Sequence, residues 1–245
     1  LVLTYTNPAA KAMKERLAKV IGHEGYDIEV GTFHSFANSI LQESEEAANY
    51  VGDKILMSDV EGMRVIEMST AVFGPSATGI MADHGAEVIK VERPETGDDG
   101  RNMGPAFRNG DSMNFHVFNR GKKSVTLDIS KPEGQAIVRE LAARCHVLLE
   151  NYKVGALARW GLGYEDLAAL NPRLVYCSIT AFGTVGPMAQ KPGMDLILQA
   201  TGGVMGLTGE SKDRPPVKAA PPVADISTGI YAAYAVAAAL FERDR

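Results

Sequence analysis

The sequence predicts an α/β fold: an open parallel sheet within residues 57–245, preceded by a short α/β appendage over residues 1–56. Three observations carry the prediction. Short apolar runs recur along residues 57–245 with helix-patterned segments between them, which is the pattern of βαβ units. The first of these runs, Arg64–Ser69, suggests a strand buried on both faces, as strands of a parallel sheet are. A chain of 245 residues, 45% hydrophobic and 22% charged, suffices for one sizeable globular domain and an appendage.

In chain order, Leu1-Val-Leu-Thr-Tyr-Thr-Asn7 reads as a strand ending in hydroxyls, and Ala9–Leu17 has a helical pattern. A short strand at Ile28–Val30, the tetrapeptide Thr32-Phe-His-Ser35 and a second helix through Glu46 complete the appendage. Met57-Ser-Asp-Val-Glu-Gly-Met63 then has the character of a fresh start, a short polar lead into the first long-domain strand. Met57 is therefore expected to be the initiator, with residues 1–56 joined by fusion, read-through or a joined reading frame.

A helix is expected over Ser76–His84 and a second strand at Glu87–Glu92. Residues 94–114, rich in Gly, Pro, Asp and Asn, are expected to form a long surface loop, and such loops are functional or mobile when they lack structure of their own. Ser124–Ile129 is the third strand. Lys131-Pro-Glu-Gly134 opens a helix through Arg144, where Pro132 suits the first turn because an N–H has no partner there. His146–Glu150 is the fourth strand, Asn151–Gly163 a basic turn region, Tyr164–Leu170 a short helix and Leu174–Ile179 the fifth strand. The last helical run is Ile226–Glu242. This order makes the sheet Rossmann-like, but no Gly-x-Gly-x-x-Gly follows the first strand, so no dinucleotide site is expected.

The net charge of −5 disfavours broad nucleic-acid binding, which relies on neutralising many phosphates. Cys145 and Cys177 lie in apolar runs and read as core thiols rather than a disulfide. No secretory signal is evident, and the apolar run Ile230–Leu240 is too short to span a bilayer, so the expected compartment is the cytoplasm.

Asp225 opens the final helical run. An aspartate there is a natural N-cap. From the residues alone the cap is the favoured reading, and it is compatible with a nucleophile, because backbone N–H groups at a helix N-terminus keep a carboxylate ionised at neutral pH. Upstream lie Gly193-Met-Asp195, in which Met194 cannot transfer protons. Gly202, Gly203 and Gly206 read as tight turns, and Pro215, Pro216, Pro221 and Pro222 stiffen the approach to Asp225. Lys122 and Lys123 read as a solvated surface pair. His84, His116 and His146 read as ordinary core or surface residues, and no metal site is expected.

From Met57 onward, Val223-Ala-Asp-Ile-Ser-Thr-Gly229, Gly193-Met-Asp195 and Gly202-Gly-Val-Met-Gly-Leu-Thr-Gly209 behind a run of parallel strands resemble the family III CoA transferases, the CaiB/BaiF group that includes formyl-CoA transferase. The resemblance implies that Asp225 is a covalent nucleophile in CoA transfer from an acyl-CoA donor to a carboxylic acid acceptor. CoA and acyl-CoA would be substrates, with no tightly bound cofactor. It implies CoA contacts at Val72, Phe73, Arg93, Leu127, Asp128, Ile129, Ser130, Asn151, Tyr152, Lys153 and Arg159, where arginine suits phosphate and the Tyr152 ring would cover the adenine. The related acyl-CoA racemases have a histidine where this chain has Met194, which disfavours racemisation. Family members continue through a small second domain and a glycine-rich lid and interlock as dimers. On that basis this chain is expected to lack the lid, to be weakly active or inactive and poorly folded alone, and to form an interlocked homodimer when full length.

Thr4-Tyr-Thr-Asn-Pro-Ala-Ala10 and Gly31-Thr-Phe-His-Ser-Phe36 resemble two motifs of a UvrD-like superfamily 1 DNA helicase, with Pro8 where such helicases carry lysine. The phosphate loop, the acidic motif and the second motor domain of a helicase are absent, so no ATPase chemistry is expected from residues 1–56.

Overall fold

The computed structural model describes residues 2–4, 30–32, 60–211 and 213–244. The chain divides into two compact units, Leu1–Ile55 and Leu56–Arg245. In the first, β1 (Val2–Thr4) and β2 (Val30–Thr32) pair in parallel, Val2 opposite Val30 and Thr4 opposite Thr32. The expected helices over 9–17 and through 46, and the helicase-like motifs apart from these strand residues, lie outside the described residues.

The second unit is built on five strands: β3 (Arg64–Met68), β4 (Glu87–Glu92), β7 (Lys123–Thr126), β8 (Val147–Glu150) and β9 (Val175–Ser178). Their spatial order is β7-β4-β3-β8-β9 and every pairing is parallel. The chain therefore leaves β3 first to one side and later to the other. That makes the crevice at the carboxyl ends of β3 and β8 the topological switch point, where open α/β sheets bind ligands.

The two-residue period of the strands decides what covers each face. Val65, Val88, Val147 and Leu149 point to one side, against Ala77 and Met81 of α1 (Phe73–Asp83) and Ala233, Val236, Ala237 and Leu240 of α7 (Val223–Arg243). Ile66, Met68 and Leu148 point to the other, against Val138 and Ala142 of α3 (Pro132–Arg144) and Leu167 of α4 (Tyr164–Leu170). Each fully buried Leu or Val contributes about 1.5–3 kcal/mol, whereas an exposed ion pair such as Arg144–Glu140 contributes about 0–1 kcal/mol. The two apolar layers, rather than surface charge, hold the sheet.

Several boundaries differ from the sequence expectation. α1 begins at Phe73 instead of Ser76, with Val72 as an N-cap that offers no side-chain acceptor. β7 ends at Thr126, and Leu127–Ser130 form a turn in which Asp128 Oδ1 accepts from Ser130 N and Oγ, at 3.0 and 2.6 Å. That turn presses on α3, since a Cβ at Gly134 would meet Asp128 O at 2.2 Å. The segment 94–114, expected to lack structure, contains a 3₁₀ turn (Asp99–Asn102) and a small hairpin of β5 (Phe107–Arg108) and β6 (Asp111–Ser112). α2 (Met113–Phe118) follows, its first turn capped by Ser112 Oγ. Arg101 organises this region: it pairs with Glu92 at 2.7 Å and Asp111 at 2.9 Å and stacks 3.9 Å from the Phe115 ring centroid. Burial alone would raise the Glu92 carboxyl, but hydrogen bonds from Arg101, Ser124 and Asp98 N together bring it down to about 2.

Lys122 is the clearest correction. Its side chain is only 2% exposed and lies 2.8 Å from Glu67 Oε2, while Nζ also donates to Pro75 O and Asn119 Oδ1. Burial pushes its ammonium down to about 8 against the pull of Glu67, so it stays charged at neutral pH. Its neighbour Lys123 is exposed and pairs with Glu87, as a surface lysine does.

α7 runs 21 residues, longer than the expected run, and by length and composition alone it would reach across a membrane. Its Gly229, Ala232, Ala233, Val236, Ala237 and Leu240 are buried within the unit, as in the core helix of a layered domain.

Candidate active site

Asp225 is the third residue of α7, whose N-cap is Pro222; it does not cap the helix, as the sequence had suggested. The capping carboxylate is Asp195, the first residue of α5 (Asp195–Thr201): its Oδ1 accepts from Ala224 N at 2.8 Å and Asp225 N at 3.3 Å. Its Oδ2 accepts from Gln199 Nε2 at 2.6 Å. Gln199 is fully buried, and its Oε1 accepts from Ala219 N at 2.8 Å, which fixes the amide orientation and ties the proline-rich approach to the same corner.

With Asp195 occupying the helix N–H groups, no donor among the described residues binds the Asp225 carboxylate. Burial and the nearby Asp195 charge push it up to about 6. It is still roughly ten-to-one ionised at pH 7, as a nucleophile needs, but for a different reason from the one expected. A more basic carboxylate is also the better attacking group.

Gly229, one helical turn further on, determines where Asp225 sits. A Cβ there would lie 2.4 Å from Ser76 Oγ and 2.8 Å from Phe73 O. The bare Cα lets α7 close on the first turn of α1 and brings Asp225 beside Phe73. A small cavity of about 30 Å³ joins these groups; it is lined by Phe73, Ile179, Thr180, Ala181, Gly193, Met194, Leu198, Asp225 and Thr228. A neighbouring cavity of about 150 Å³ shares Phe73, Ile179, Thr180, Ala181 and Gly193 and extends to Asn151, Tyr152, Lys153 and Lys191. Asp225 therefore lines a cavity that adjoins the one at the switch point after β8.

The sequence profile of CoA-transferase family III matches residues 60–245. The chain belongs to that family. It is 48% identical over 192 residues to a succinate–glutarate CoA-transferase of Agrobacterium fabrum, covering 76% of this chain and 48% of that protein. It is 46% identical over 189 residues to the mouse succinyl-CoA:glutarate CoA-transferase, covering 77% and 43%. Among solved structures it resembles a CaiB/BaiF family protein from Brucella suis, with TM-score 0.72 and 46% identity over 76% of this chain and 50% of that one. The chain thus spans about half the length of the relatives it matches.

The residues expected at a family III CoA site fall into two groups. Phe73, Asn151, Tyr152 and Lys153 line the larger cavity, and Val72 is buried immediately before α1. Asn151 bridges the switch point, its Oδ1 accepting from Thr70 N at 3.3 Å and its Nδ2 donating to Thr70 O at 3.2 Å. The Tyr152 ring packs edge-on to Trp160 at 6.3 Å, and burial raises its hydroxyl against the opposing Arg93 charge. Arg93, Leu127, Asp128, Ile129, Ser130 and Arg159 line neither cavity. Arg93 is half-exposed, donates to Gly97 O and pairs with Asp99; Arg159 is exposed in the 3₁₀ turn Ala158–Trp160.

Sequence reasoning missed Asp195 as a helix cap and Gln199 as its holder. Their four-residue spacing, which puts both on one helical side, was the available signal. A wider cleft of about 830 Å³, lined by Arg64, Arg144, His146, Arg173 and Arg243 among others, opens at the amino ends of β3 and β8 and holds none of the expected site residues. Volume alone does not mark the site.

Proposed function

We propose that the protein is a CoA transferase that moves CoA from an acyl-CoA donor to a carboxylic acid, with Asp225 as the covalent nucleophile. The observation that carries this reading is Asp225 itself: a carboxylate with no hydrogen-bond donor among the described residues, lining a cavity next to the one at the switch point of a family III sheet. The names of the relatives, built on succinyl-CoA with glutarate, malate and citramalate, support a dicarboxylic acid as acceptor.

The steps follow from carboxylate chemistry. The Asp225 carboxylate adds to the donor thioester carbonyl, the C–S bond breaks, and CoA leaves as its thiolate, giving an aspartyl–acyl anhydride. The thiolate then adds to the aspartyl carbonyl and expels the donor acid as carboxylate, leaving an aspartyl-CoA thioester. The acceptor carboxylate adds to that thioester and releases thiolate. Thiolate attack on the acceptor acyl carbonyl then frees acyl-CoA and restores Asp225. No redox partner enters, and a serine or cysteine would not form the anhydride that makes the thiolate's return productive.

Mixing the full-length protein with succinyl-CoA and glutarate tests this reading. Glutaryl-CoA should form, and Asp225→Ala should lower its rate by at least about a thousandfold. Turnover unaffected in Asp225→Ala would refute the nucleophile. Free CoA accumulating without new thioester would indicate hydrolysis instead.

The full-length enzyme acts as a cytoplasmic homodimer; the exposed Leu196, Ile197, Tyr231 and Tyr234 on α5 and α7 support a partner surface. Residues 1–56 are a helicase-like stretch of separate origin, supported by the family match beginning at residue 60 and the division of the chain at Leu56. A native protein whose mass includes residues before Met57 would contradict a start at Met57.

A further inference from the structure

Four consecutive backbone polar groups of the β3–α1 turn are held by side chains from other segments. Lys90 Nζ donates to Ser69 O at 2.9 Å. Asn151 holds Thr70 N and Thr70 O. Asp98 Oδ1 accepts from Ala71 N at 2.8 Å. The clamp is needed, because Ala71 is left-handed, with φ +69°, a conformation that costs a residue with a Cβ about 1–2 kcal/mol. Two residues later the chain enters α1 at Phe73, which lines both cavities of the site.

Asp98 acts on both ends of this turn. Its side chain is 1% exposed. Oδ1 takes Ala71 N and, at 2.7 Å, Gly100 N. Oδ2 pairs with the Lys90 ammonium at 2.6 Å. Lys90 in turn pairs with Glu67 at 2.6 Å, directly across the β3–β4 register. Glu67 accepts from Ser69 Oγ and Thr78 Oγ1. A neutral acceptor at position 98 would hold the Ala71 amide, whereas the carboxylate also pairs, alongside Glu67, with the lysine that holds the Ser69 carbonyl.

We propose that Asp98 is a positioning residue for CoA-thioester binding: it fixes the left-handed turn at Ala71 and, through Lys90, the Ser69 carbonyl, and so sets Phe73 and Asn151 against the ligand. The inference rests on the transferase reading above. The competing role for Asp98 is as a cap of the 99–102 turn alone, which would affect stability and leave ligand affinity unchanged.

The test uses the full-length chain, with CoA itself as probe and its Kd measured by calorimetry beside thermal denaturation. Asp98→Ala should bind CoA about tenfold more weakly, the loss expected when about 1–2 kcal/mol of turn strain goes unopposed. Adding Ala71→Gly to that variant should recover part of the affinity, because glycine reaches the left-handed region without strain. A rescue of this kind is not expected from a mere cap. Affinity unchanged in Asp98→Ala, or no recovery with Ala71→Gly, would overturn the inference. If Asp98→Ala does not fold, Ala71→Val and Ala71→Gly read the same turn without touching the buried charges. Ala71→Val should then bind CoA about tenfold more weakly than Ala71→Gly, and equal affinities would overturn the inference. Wild-type protein that fails to bind CoA would overturn the transferase reading and this inference with it. Wild-type binding with indifferent variants removes only the role of Asp98.

Discussion

Asp225 and Asp195 form a pair whose charges oppose each other, and that sets the pH dependence of the site. As the proposed nucleophile, Asp225 must be ionised to attack, and its carboxyl is pushed up to about 6 by burial and by Asp195. The rate of acyl-enzyme formation should rise with pH through about 6 and fall about tenfold per unit below it. Asp195→Asn keeps an oxygen for the α7 amides but removes the repulsion, so the acidic limb should move to lower pH. A limb that stays in place would mean that burial alone sets it. A second prediction concerns the lysine doublet. Lys122→Met leaves Glu67 with one cation fewer in a buried network and should cost about 3–5 kcal/mol, whereas Lys123→Met should stay within about 0.5 kcal/mol, both read by urea denaturation. Asp225 was singled out through its resemblance to a family motif, while its place as the third residue of α7 rather than its cap was not legible. That Lys122 turns inward was not, because its partner Glu67 lies 55 residues away in sequence and a doublet of lysines gives no sign of which one is covered.

At the scale of elements, the strands were the most legible part. β3, β4, β8 and β9 fall within one residue of the expected ranges, since each has a short apolar run bounded by turn or helix signals. β7 was overextended because Leu127 and Ile129 continue the apolar pattern, although the chain is already turning around Asp128 to reach α3. The starts of α1 and α7 were placed three residues late. Both helices begin without a side-chain cap of their own, so local sequence carried no start signal, and α7 takes its cap from Asp195 on another helix. Gly229 belongs to this scale too: a single absent Cβ permits the α1–α7 contact that places Asp225. Gly229→Ala gains helix propensity of about 1 kcal/mol. It must still push against Phe73 O, so we expect a net loss of about 1–3 kcal/mol and slower acyl-enzyme formation. A Gly229→Ala protein of wild-type stability and rate would show that the approach is not required.

At the scale of the molecule, strand order does what no single residue can. Because β4 and β7 lie on one side of β3 and β8 and β9 on the other, the loops after β3 and β8 part at the crevice where Asn151 bridges to Thr70 and Phe73 meets Asp225. The recurrence of strands and helices made the layered class readable, and the motifs around Asp225 made the family readable. The neighbours of Asp225 were less readable, since Thr180, Ala181 and Gly193 enter the site only through the way β9 and the following loop fold back. The central claim is that Asp225 carries the acyl and CoA groups covalently, and the most direct measurement is intact mass and peptide mapping of the full-length protein incubated with succinyl-CoA and then hydroxylamine. The expected product is a hydroxamate on Asp225, absent in Asp225→Ala. Wild-type protein that binds CoA yet shows no adduct at Asp225 would contradict it.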